Sequence, residues 1–273
     1  MKHTAPNINV LIAVPAFNEE ENIRSLLLRL DPWKMDVLVI DDGSTDHTPE
    51  LVRSMGYSCF SRNSNQGLSD FYRTAREHGL THGYTHLITI DADLQHDPEY
   101  IPAFIDALGK YDLVSGDRFH ETRGIPSAKI ASNMFARMLF REYLSLSFPD
   151  VACGFRALKL TSFGDHQGID GFGIIYDMLV KHALSGKSTG FVRMPATYHE
   201  GQPLNTKCSE LNGLLTVINN YRPSLSVHSV MEAVNNKISF SMDIQGYVFD
   251  AVYQEPGAYL FKMKKTSTGN FEN

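Results

Sequence analysis

Short apolar runs alternate with amphipathic stretches through the first half of the chain. Each run is rich in branched aliphatic residues and ends at a proline, a glycine or an aspartate. The runs are Val10–Val14, Val37–Ile40, His86–Ile90 and Leu113–Ser115. Apolar runs of this length, bounded by such residues, predict strands that are buried on both faces.

The stretches between these runs have the spacing of helices. In Glu19–Leu30, for example, Ile23, Leu27 and Leu30 fall on one face of a helix. The other helices predicted in this half are Ser44–Met55, Gln66–His82 and Pro98–Leu108. Strands alternating with helices at this spacing predict an α/β fold, with a mostly parallel twisted sheet flanked by helices.

The organisation changes after Pro126. Two long amphipathic helices are predicted at Ile130–Leu146 and Gly171–Ser185. A shorter one at Leu211–Tyr221 ends before Pro223, because proline cannot continue a helix.

The last part of the chain leans towards β-structure. Apolar and polar residues alternate in Ser239–Met242 and in Tyr247–Tyr253, and the final residues are polar. We therefore expect one α/β domain at 1–225 and a small β-leaning extension at 226–273.

Composition narrows the class of protein. The 273 residues are 42% hydrophobic, which is enough for a sizeable core. A net charge of -6 argues against a nucleic-acid binder. The three cysteines, Cys59, Cys153 and Cys208, are far apart and suggest no disulfide framework, which favours a reducing compartment.

The sequence has no signal-peptide pattern, and none of its apolar runs approaches the length of roughly 20 residues that a membrane-spanning helix needs. We expect a cytoplasmic protein, and both peripheral membrane contact and a homodimer stay open.

Polar residues follow each predicted strand at the point where it ends. They are Asn18 and Glu19, Asp41 and Asp42, Asp91 and Asp93, and Asp117 and Arg118. Ligands of open α/β sheets bind beyond the carboxyl ends of the strands, where these residues should converge. Several carboxylates at one edge would repel one another, so a cation is the expected partner.

The Asp91-Ala-Asp93 segment is the strongest candidate for chemistry. Two carboxylates two residues apart at a strand end can reach one divalent ion, and oxygen ligands suit Mg²⁺ or Mn²⁺. Such an ion stabilises the charge that develops on a nucleoside diphosphate leaving group. A lone D-x-D also arises by chance, because aspartates end strands and cap helices.

The order of three segments strengthens the metal interpretation. Val14–Glu20 reads Val-Pro-Ala-Phe-Asn-Glu-Glu, Val39–Asp46 reads Val-Ile-Asp-Asp-Gly-Ser-Thr-Asp, and Asp91–Asp93 follows. Together they resemble the family 2 glycosyltransferases, which have the GT-A fold. The resemblance covers about Val10 to Lys159 and implies a metal-dependent enzyme with a nucleotide-sugar donor.

The resemblance also implies roles for individual residues. Pro15, Ala16, Asn18 and Glu19 would line the nucleotide pocket. Asp42, or its neighbour Asp41, would accept from an N–H of the base. Asp91, Ala92 and Asp93 would flank the diphosphate, with the metal on the two aspartates. An aspartate accepts equally from uracil and guanine, so the donor is expected to be a UDP- or a GDP-sugar.

A narrower resemblance concerns the acceptor. Asp91–Tyr100, Ser115–Phe119, Ala131–Leu139 and Cys153–Leu158 are similar to segments of dolichol-phosphate mannose synthases and bacterial polyprenyl-phosphate sugar transferases. This implies that Gln95 is a further metal ligand and that Arg118 faces the phosphate of a lipid acceptor. A surface role for Gln95 stays open, as does a pairing of Arg118 with a neighbouring aspartate.

The chain departs from that subgroup after Pro195. The subgroup carries an arginine followed by Gly-x-Ser-Lys, whereas this chain has Gly201 near the place of the arginine and ends the segment at Thr206-Lys207. Lys207 would still contact the diphosphate, and His199 is a candidate ligand for the metal. A structural role for His199 also stays open.

The acceptor decides the mechanism. In-line attack on the anomeric carbon inverts its configuration, and a phosphate acceptor needs no general base. A hydroxyl of a glycan, small molecule or protein needs one, and Asp150 is the candidate, although it also suits a turn or a cap.

Two other enzyme classes lack their motifs. Neither the basic, glycine-rich loop of a pyrophosphorylase nor G-x-G-x-x-G follows the first strand. A non-catalytic nucleotide-sugar-binding module is the remaining alternative, although both D-x-D aspartates are present.

Overall fold

A computed structural model describes residues 8–164, 166, 169–198, 208–223, 247–255 and 258–265. Its strands are β1 (Val10–Ala16), β2 (Asp36–Asp41), β3 (Ser58–Ser61), β4 (His86–Thr89), β5 (Leu113–Asp117), β6 (Arg156–Lys159), β7 (Thr189–Arg193), β8 (Tyr247–Glu255) and β9 (Ala258–Lys265). The first seven form one sheet in the order β3-β2-β1-β4-β6-β5-β7. All neighbours in this sheet are parallel except β6, which pairs antiparallel with both β4 and β5.

In the described residues, seven α-helices pack on this sheet or follow it. They are α1 (Ile23–Leu30), α2 (Thr48–Ser54), α3 (Gly67–Thr81), α4 (Ile101–Leu108), α5 (Ser127–Leu144), α6 (Gly173–Leu184) and α7 (Cys208–Tyr221). Short 3₁₀ turns at Asp31–Trp33 and Pro98–Tyr100 follow α1 and precede α4.

Alternate residues of β1 point into two separate cores, as the period of a buried strand requires. Val10, Ile12 and Val14 pack with α1 and α4 on one face of the sheet. Leu11 and Ala13 pack with α3, α5, α6 and α7 on the other face. The predicted α/β architecture, a mostly parallel sheet flanked by helices, is therefore observed.

The four predicted strands are present, and three short ones were missed. β3 is mostly exposed, β7 begins Thr-Gly, and β6 begins with an arginine, so none of them has the apolar run that marked the others. Arg156 in β6 is fully buried and donates to the backbone carbonyls of Cys153, Val151 and Ile175. Two carbonyl acceptors from the turn just before β6 and one from Ile175 in α6 make this charged residue acceptable inside a sheet.

Two predicted helices begin later than expected. Glu19–Leu30 becomes helical only at Ile23, and Ser44–Met55 only at Thr48. The residues before each helix form loops at the carboxyl edge of the sheet, and these loops bond to each other instead of continuing the helix.

Towards the end of the chain, β8 and β9 pair antiparallel as a separate two-stranded sheet. The expected strand at Ser239–Met242 lies outside the described residues. The domain division at residue 225 stays a prediction. Among the helices that the structure describes, none is long and apolar enough to cross a bilayer.

Candidate active site

The loops that follow β1 and β2 are fastened together. Asn18 lies in the left-handed region at φ 56°, its backbone N–H donates to Ser44 Oγ at 2.9 Å, and its Oδ1 accepts from the N–H of Thr45 at 2.8 Å. The N–H of Glu19 donates to Thr48 Oγ1 at 2.8 Å. These bonds fix Asn18 and Glu19 beside the carboxyl end of β1, next to Pro15 and Ala16.

Asp41 and Asp42 are both engaged by protein groups. Asp41 is buried at the end of β2, and its Oδ1 accepts from the N–H of Ser44. Asp42 accepts from the guanidinium of Arg62 at 2.7 Å and from the backbone N–H groups of Gln66 and Gly67, where α3 begins. Asp42 therefore caps a helix and pairs with a cation. The expectation that one of these two aspartates reads the base of the donor stays a prediction.

The chain turns sharply at the D-x-D segment. Asp91 follows β4, Ala92 is buried, and Asp93 Oδ1 accepts from the N–H of Gln95 at 3.1 Å. Leu94, between Asp93 and Gln95, has a φ of 62°, a conformation that is uncommon for a branched side chain. Such strain persists where the surroundings hold it, and here the turn brings both aspartates to one cavity.

Electrostatics at this turn favour a bound cation. Burial raises the pKa of Asp91, and burial together with the charge of Asp91 raises the pKa of Asp93. Burial also raises the pKa of Glu19, and the charges of Asp93 and Asp91 add to that shift. Three carboxyl groups from the ends of β1 and β4 thus repel one another, and a divalent ion would remove this repulsion.

The donor set fits a hard cation. Asp91, Asp93 and Gln95 line the same cavity, of about 170 Å³, and offer oxygen atoms of the kind that Mg²⁺ and Mn²⁺ prefer. Within the described part of the chain, no group of three carboxylate, histidine or cysteine ligands is formed. Such an ion would take its remaining ligands from water and substrate phosphates, as Mg²⁺ usually does.

Arg118 enters the same cavity from the end of β5. Its Nε donates to Asp150 Oδ2 at 2.7 Å and its Nη2 to Asp150 Oδ1 at 3.1 Å, a bidentate pair. Asp150 is completely buried, and its Oδ1 also accepts from Asn133 Nδ2 and from the N–H of Ala152. After these two bonds, the guanidinium keeps both N–H groups of Nη1 and the second N–H of Nη2 for the cavity.

This arrangement suits Asp150 to positioning Arg118. Burial raises the pKa of the Asp150 carboxyl, but the charge and hydrogen bonds of Arg118 outweigh it and hold that pKa below its usual value. The backbone N–H of Arg118 also donates to Asp150 Oδ2, at 3.3 Å, which makes five protein donors. A buried carboxylate with a lowered pKa and these donors is poorly placed to take a proton from an acceptor hydroxyl. The role of Asp150 as a general base stays a prediction.

His96 packs against the D-x-D turn, between Asp91 and Cys153. It is buried, with Nδ1 3.5 Å from Asp91 Oδ2 and Nε2 3.7 Å from Cys153 Sγ. Burial and the charge of Arg118 lower the pKa of His96 to about 4, so the ring is neutral. Burial raises the pKa of Cys153 to about 12, so this thiol is not a nucleophile at neutral pH.

The structure adds site residues that the motifs did not assign. The remaining cavity wall consists of Phe119, Lys129, Ser132, Asn133, Ala152, Phe172 and Tyr198. The sequence pointed to them only indirectly, because Phe119, Lys129 and Asn133 lie in or beside segments that resemble the polyprenyl-phosphate sugar transferases. Lys207 and His199 lie outside the described residues.

Solved structures agree with the fold. Glucosyl-3-phosphoglycerate synthase from Mycobacterium tuberculosis, in complex with Mn²⁺, uridine diphosphate and glucosyl-3-phosphoglycerate, superposes with a TM-score of 0.66. The match covers 96% of this chain and 89% of that chain at 17% sequence identity. At this identity the likeness establishes the shared architecture alone.

The chain belongs to glycosyltransferase family 2. The family model described as "Glycosyl transferase family 2" matches residues 11–166, which is more than half of the 273 residues. The segments that carried the resemblance after β1, β2 and β4 lie within this match. The protein is accordingly a glycosyltransferase.

Individual relatives act on lipid phosphates, according to their names. The undecaprenyl-phosphate mannosyltransferase of Micrococcus luteus is 29% identical over 221 residues, which is 74% of this chain and 88% of that protein. The dolichol-phosphate mannosyltransferase of Mycosarcoma maydis is 32% identical over 222 residues, with 71% of each chain covered. The narrower resemblance to this subgroup is therefore confirmed.

Proposed function

We propose that the protein transfers a sugar from a UDP- or GDP-sugar to a polyprenyl or dolichyl phosphate, with Mg²⁺ or Mn²⁺ and inversion at the anomeric carbon. One observation carries the proposal: the carboxylates of Asp91 and Asp93 and the guanidinium of Arg118 line one cavity. Through a bound divalent ion, the two carboxylates suit the donor diphosphate. The arginine suits an anionic acceptor.

The proposed binding of the donor depends on the acidic residues at the carboxyl edge of the sheet. Asp91 and Asp93, with Gln95 beside them, would hold the divalent ion, which when bound neutralises the charge that develops on the diphosphate leaving group. Pro15, Ala16, Asn18 and Glu19 would form the wall against the nucleotide. The Mycobacterium tuberculosis structure, which shares the fold, binds Mn²⁺ and uridine diphosphate, and this supports the use of a divalent ion and a nucleotide.

The acceptor side rests on Arg118. Asp150 holds the guanidinium in place and leaves Nη1 to bind a phosphate oxygen, a charge-assisted contact that also orients the nucleophile. A phosphate is already an anion and attacks the anomeric carbon without a general base. The lack of an accessible base at Asp150 therefore supports a phosphate acceptor over a hydroxyl acceptor.

A donor and acceptor screen tests the proposal. The purified protein is incubated with Mn²⁺ or Mg²⁺, a polyprenyl phosphate in detergent, and UDP-, GDP- and dTDP-sugars in turn. Release of nucleoside diphosphate is recorded with and without the lipid. We expect one donor to give lipid-stimulated release that chelation of the metal removes and that Asp93→Asn lacks.

Other results have distinct meanings. Release that ignores the lipid phosphate keeps the enzyme but overturns the acceptor, and glycans and small hydroxyl compounds are then screened. If no sugar nucleotide turns over or binds in a metal-dependent way, the catalytic proposal fails and a nucleotide-sugar-binding module takes its place.

A further inference from the structure

Tyr198 lines the cavity together with Arg118. Backbone hydrogen bonds hold the segment that carries it. After β7, the N–H of Met194 donates to the carbonyl of Asp117 at 3.1 Å, and the N–H of Thr197 donates to the carbonyl of Gln95 at 3.3 Å. These two bonds fasten the segment between the end of β5 and the D-x-D turn. Tyr198 therefore stands beside both Arg118 and Asp93.

The phenol of Tyr198 has no partner in the described protein. Its side chain is half-buried and lines the cavity with Asp93 and Arg118, and its hydroxyl makes no hydrogen bond to any residue that the structure describes. The hydroxyl oxygen is not one of the buried atoms that lack a partner, so water reaches it in the cavity. A bound substrate can replace that water and take the hydrogen bond of the phenol.

The hydroxyl is suited to donate. A phenol is protonated at neutral pH, so the Tyr198 hydroxyl acts as a hydrogen-bond donor here, not as a base.

An acceptor phosphate needs such a donor. Arg118 gives Nε–H and one N–H of Nη2 to Asp150, so the N–H groups that remain for an anion all lie at one edge of a planar guanidinium, whereas a terminal phosphate presents three oxygens in three directions. We propose that Tyr198 is a substrate-contacting residue whose hydroxyl donates a hydrogen bond to the phosphate of the acceptor, next to Arg118. This inference rests on the proposed function for the identity of the acceptor.

Tyr198→Phe removes the hydroxyl and keeps the ring. With a polyprenyl phosphate as acceptor, we expect the KM for the acceptor to rise about tenfold, as for loss of one hydrogen bond to a charged group. The KM for the sugar nucleotide should stay within about twofold, because the hydroxyl does not touch the donor. Tyr111→Phe is the matched control: Tyr111 is exposed, packs on Gly190 outside the cavity, and should behave as wild type.

Binding of farnesyl phosphate, measured by calorimetry in the absence of donor, gives a readout independent of turnover. About tenfold weaker binding to Tyr198→Phe than to wild type and Tyr111→Phe supports the assignment, even if no lipid phosphate is ever glycosylated and the proposed function fails. Equal binding to all three proteins overturns it, as does an unchanged KM for the acceptor. If wild type does not bind farnesyl phosphate at all, both the acceptor proposal and the role of Tyr198 are wrong.

Discussion

The carboxylate of Asp91 lies directly against the α-carbon of Gly154. A β-carbon placed on Gly154 would fall 2.3 Å from Asp91 Oδ2 and 2.8 Å from Oδ1, closer than any side chain tolerates. The carbonyl of Gly154 accepts from Thr89 Oγ1 at 2.8 Å, which restrains the glycine backbone, so the Asp91 side chain is the partner that would move. The glycine is therefore part of the surface that sets where Asp91 points.

Gly154→Ala should displace Asp91 while leaving the fold intact. The added methyl group forces the carboxylate away from its place beside Asp93, and a misplacement of about 1 Å in a catalytic constellation can cost roughly 100-fold in rate. We expect Mn²⁺-dependent binding of nucleoside diphosphate to weaken at least about tenfold, as measured by calorimetry. The circular dichroism spectrum should match that of wild type.

Gly109→Ala is the control for this change. Gly109 lies at the end of α4 with φ -66°, and an added β-carbon would meet only the carbonyl of Asp106 at 3.3 Å. This variant should bind nucleoside diphosphate as wild type does. Wild-type binding by Gly154→Ala would mean that Asp91 does not need its observed position.

The sequence was sufficient to predict the parts of the site that follow apolar strands. Asp91, Asp93 and Arg118 each come directly after a buried run, and parallel strands bring their carboxyl ends to one edge. All three line one cavity, and their roles there stay predictions. This part of the site depends on strand order and local spacing, which a sequence displays.

The rest depends on contacts between distant segments. The strand β6 is inserted antiparallel between β4 and β5, and its buried arginine is satisfied only by carbonyls that no local pattern reveals. The pairing of Arg118 with Asp150 joins residues 32 positions apart. Without that pair, a sequence gives no means to decide whether Asp150 is a base or a support for the guanidinium.

Asp93→Asn should have opposite effects on the metal-free and the metal-bound protein. Burial and the charge of Asp91 raise the pKa of Asp93, so its ionised form costs stability in the folded state at neutral pH. The neutral amide removes that cost, and we expect the metal-free variant to be more stable by on the order of 1 kcal/mol at pH 7. Urea unfolding measures the difference.

The stability difference between Asp93→Asn and wild type should reverse its sign when metal is added and disappear at acid pH. As the pH falls through the raised pKa of Asp93 towards the unfolded value, the wild-type carboxyl becomes neutral and the two proteins converge. Added Mn²⁺ should stabilise wild type and leave Asp93→Asn almost unchanged, because only the intact site binds the ion. Asp106→Asn, an exposed aspartate on α4, should follow wild type throughout. Equal stabilisation of Asp93→Asn by Mn²⁺ would place the metal elsewhere.

Arg118→Lys should fail although it keeps the charge. An ammonium group cannot engage both oxygens of Asp150 and also face the cavity, which the planar guanidinium does with three nitrogens. We expect kcat/KM for the acceptor to fall about 10- to 100-fold, with little change in the KM for the donor. Steady-state kinetics with each substrate varied in turn provide the test. A comparable loss of donor affinity would assign Arg118 to the diphosphate.

Asp150→Asn separates a positioning role from a catalytic base. Because Arg118 holds the pKa of Asp150 below its usual value, the ion pair stabilises the fold fully above the unfolded pKa of about 4. That contribution is lost only as the pH falls through the lower folded value. We expect the variant to be less stable by about 3 kcal/mol from pH 5 to 8, since a buried cation loses its partner, and the difference should shrink below pH 4.

The kinetic result decides between the two roles. If Asp150 positions Arg118, Asp150→Asn should raise the KM for a phosphate acceptor and keep measurable kcat at saturation. If it is the base for a hydroxyl acceptor, kcat should collapse while acceptor binding is retained. Asp112→Asn is the control, because the pKa of Asp112 is also lowered, against the effect of burial, by hydrogen bonds from Ser188, outside the cavity. Asp112→Asn should lose acid-dependent stability without any change in the KM for the acceptor. That result would show that the effect of Asp150 on the acceptor is local to the site.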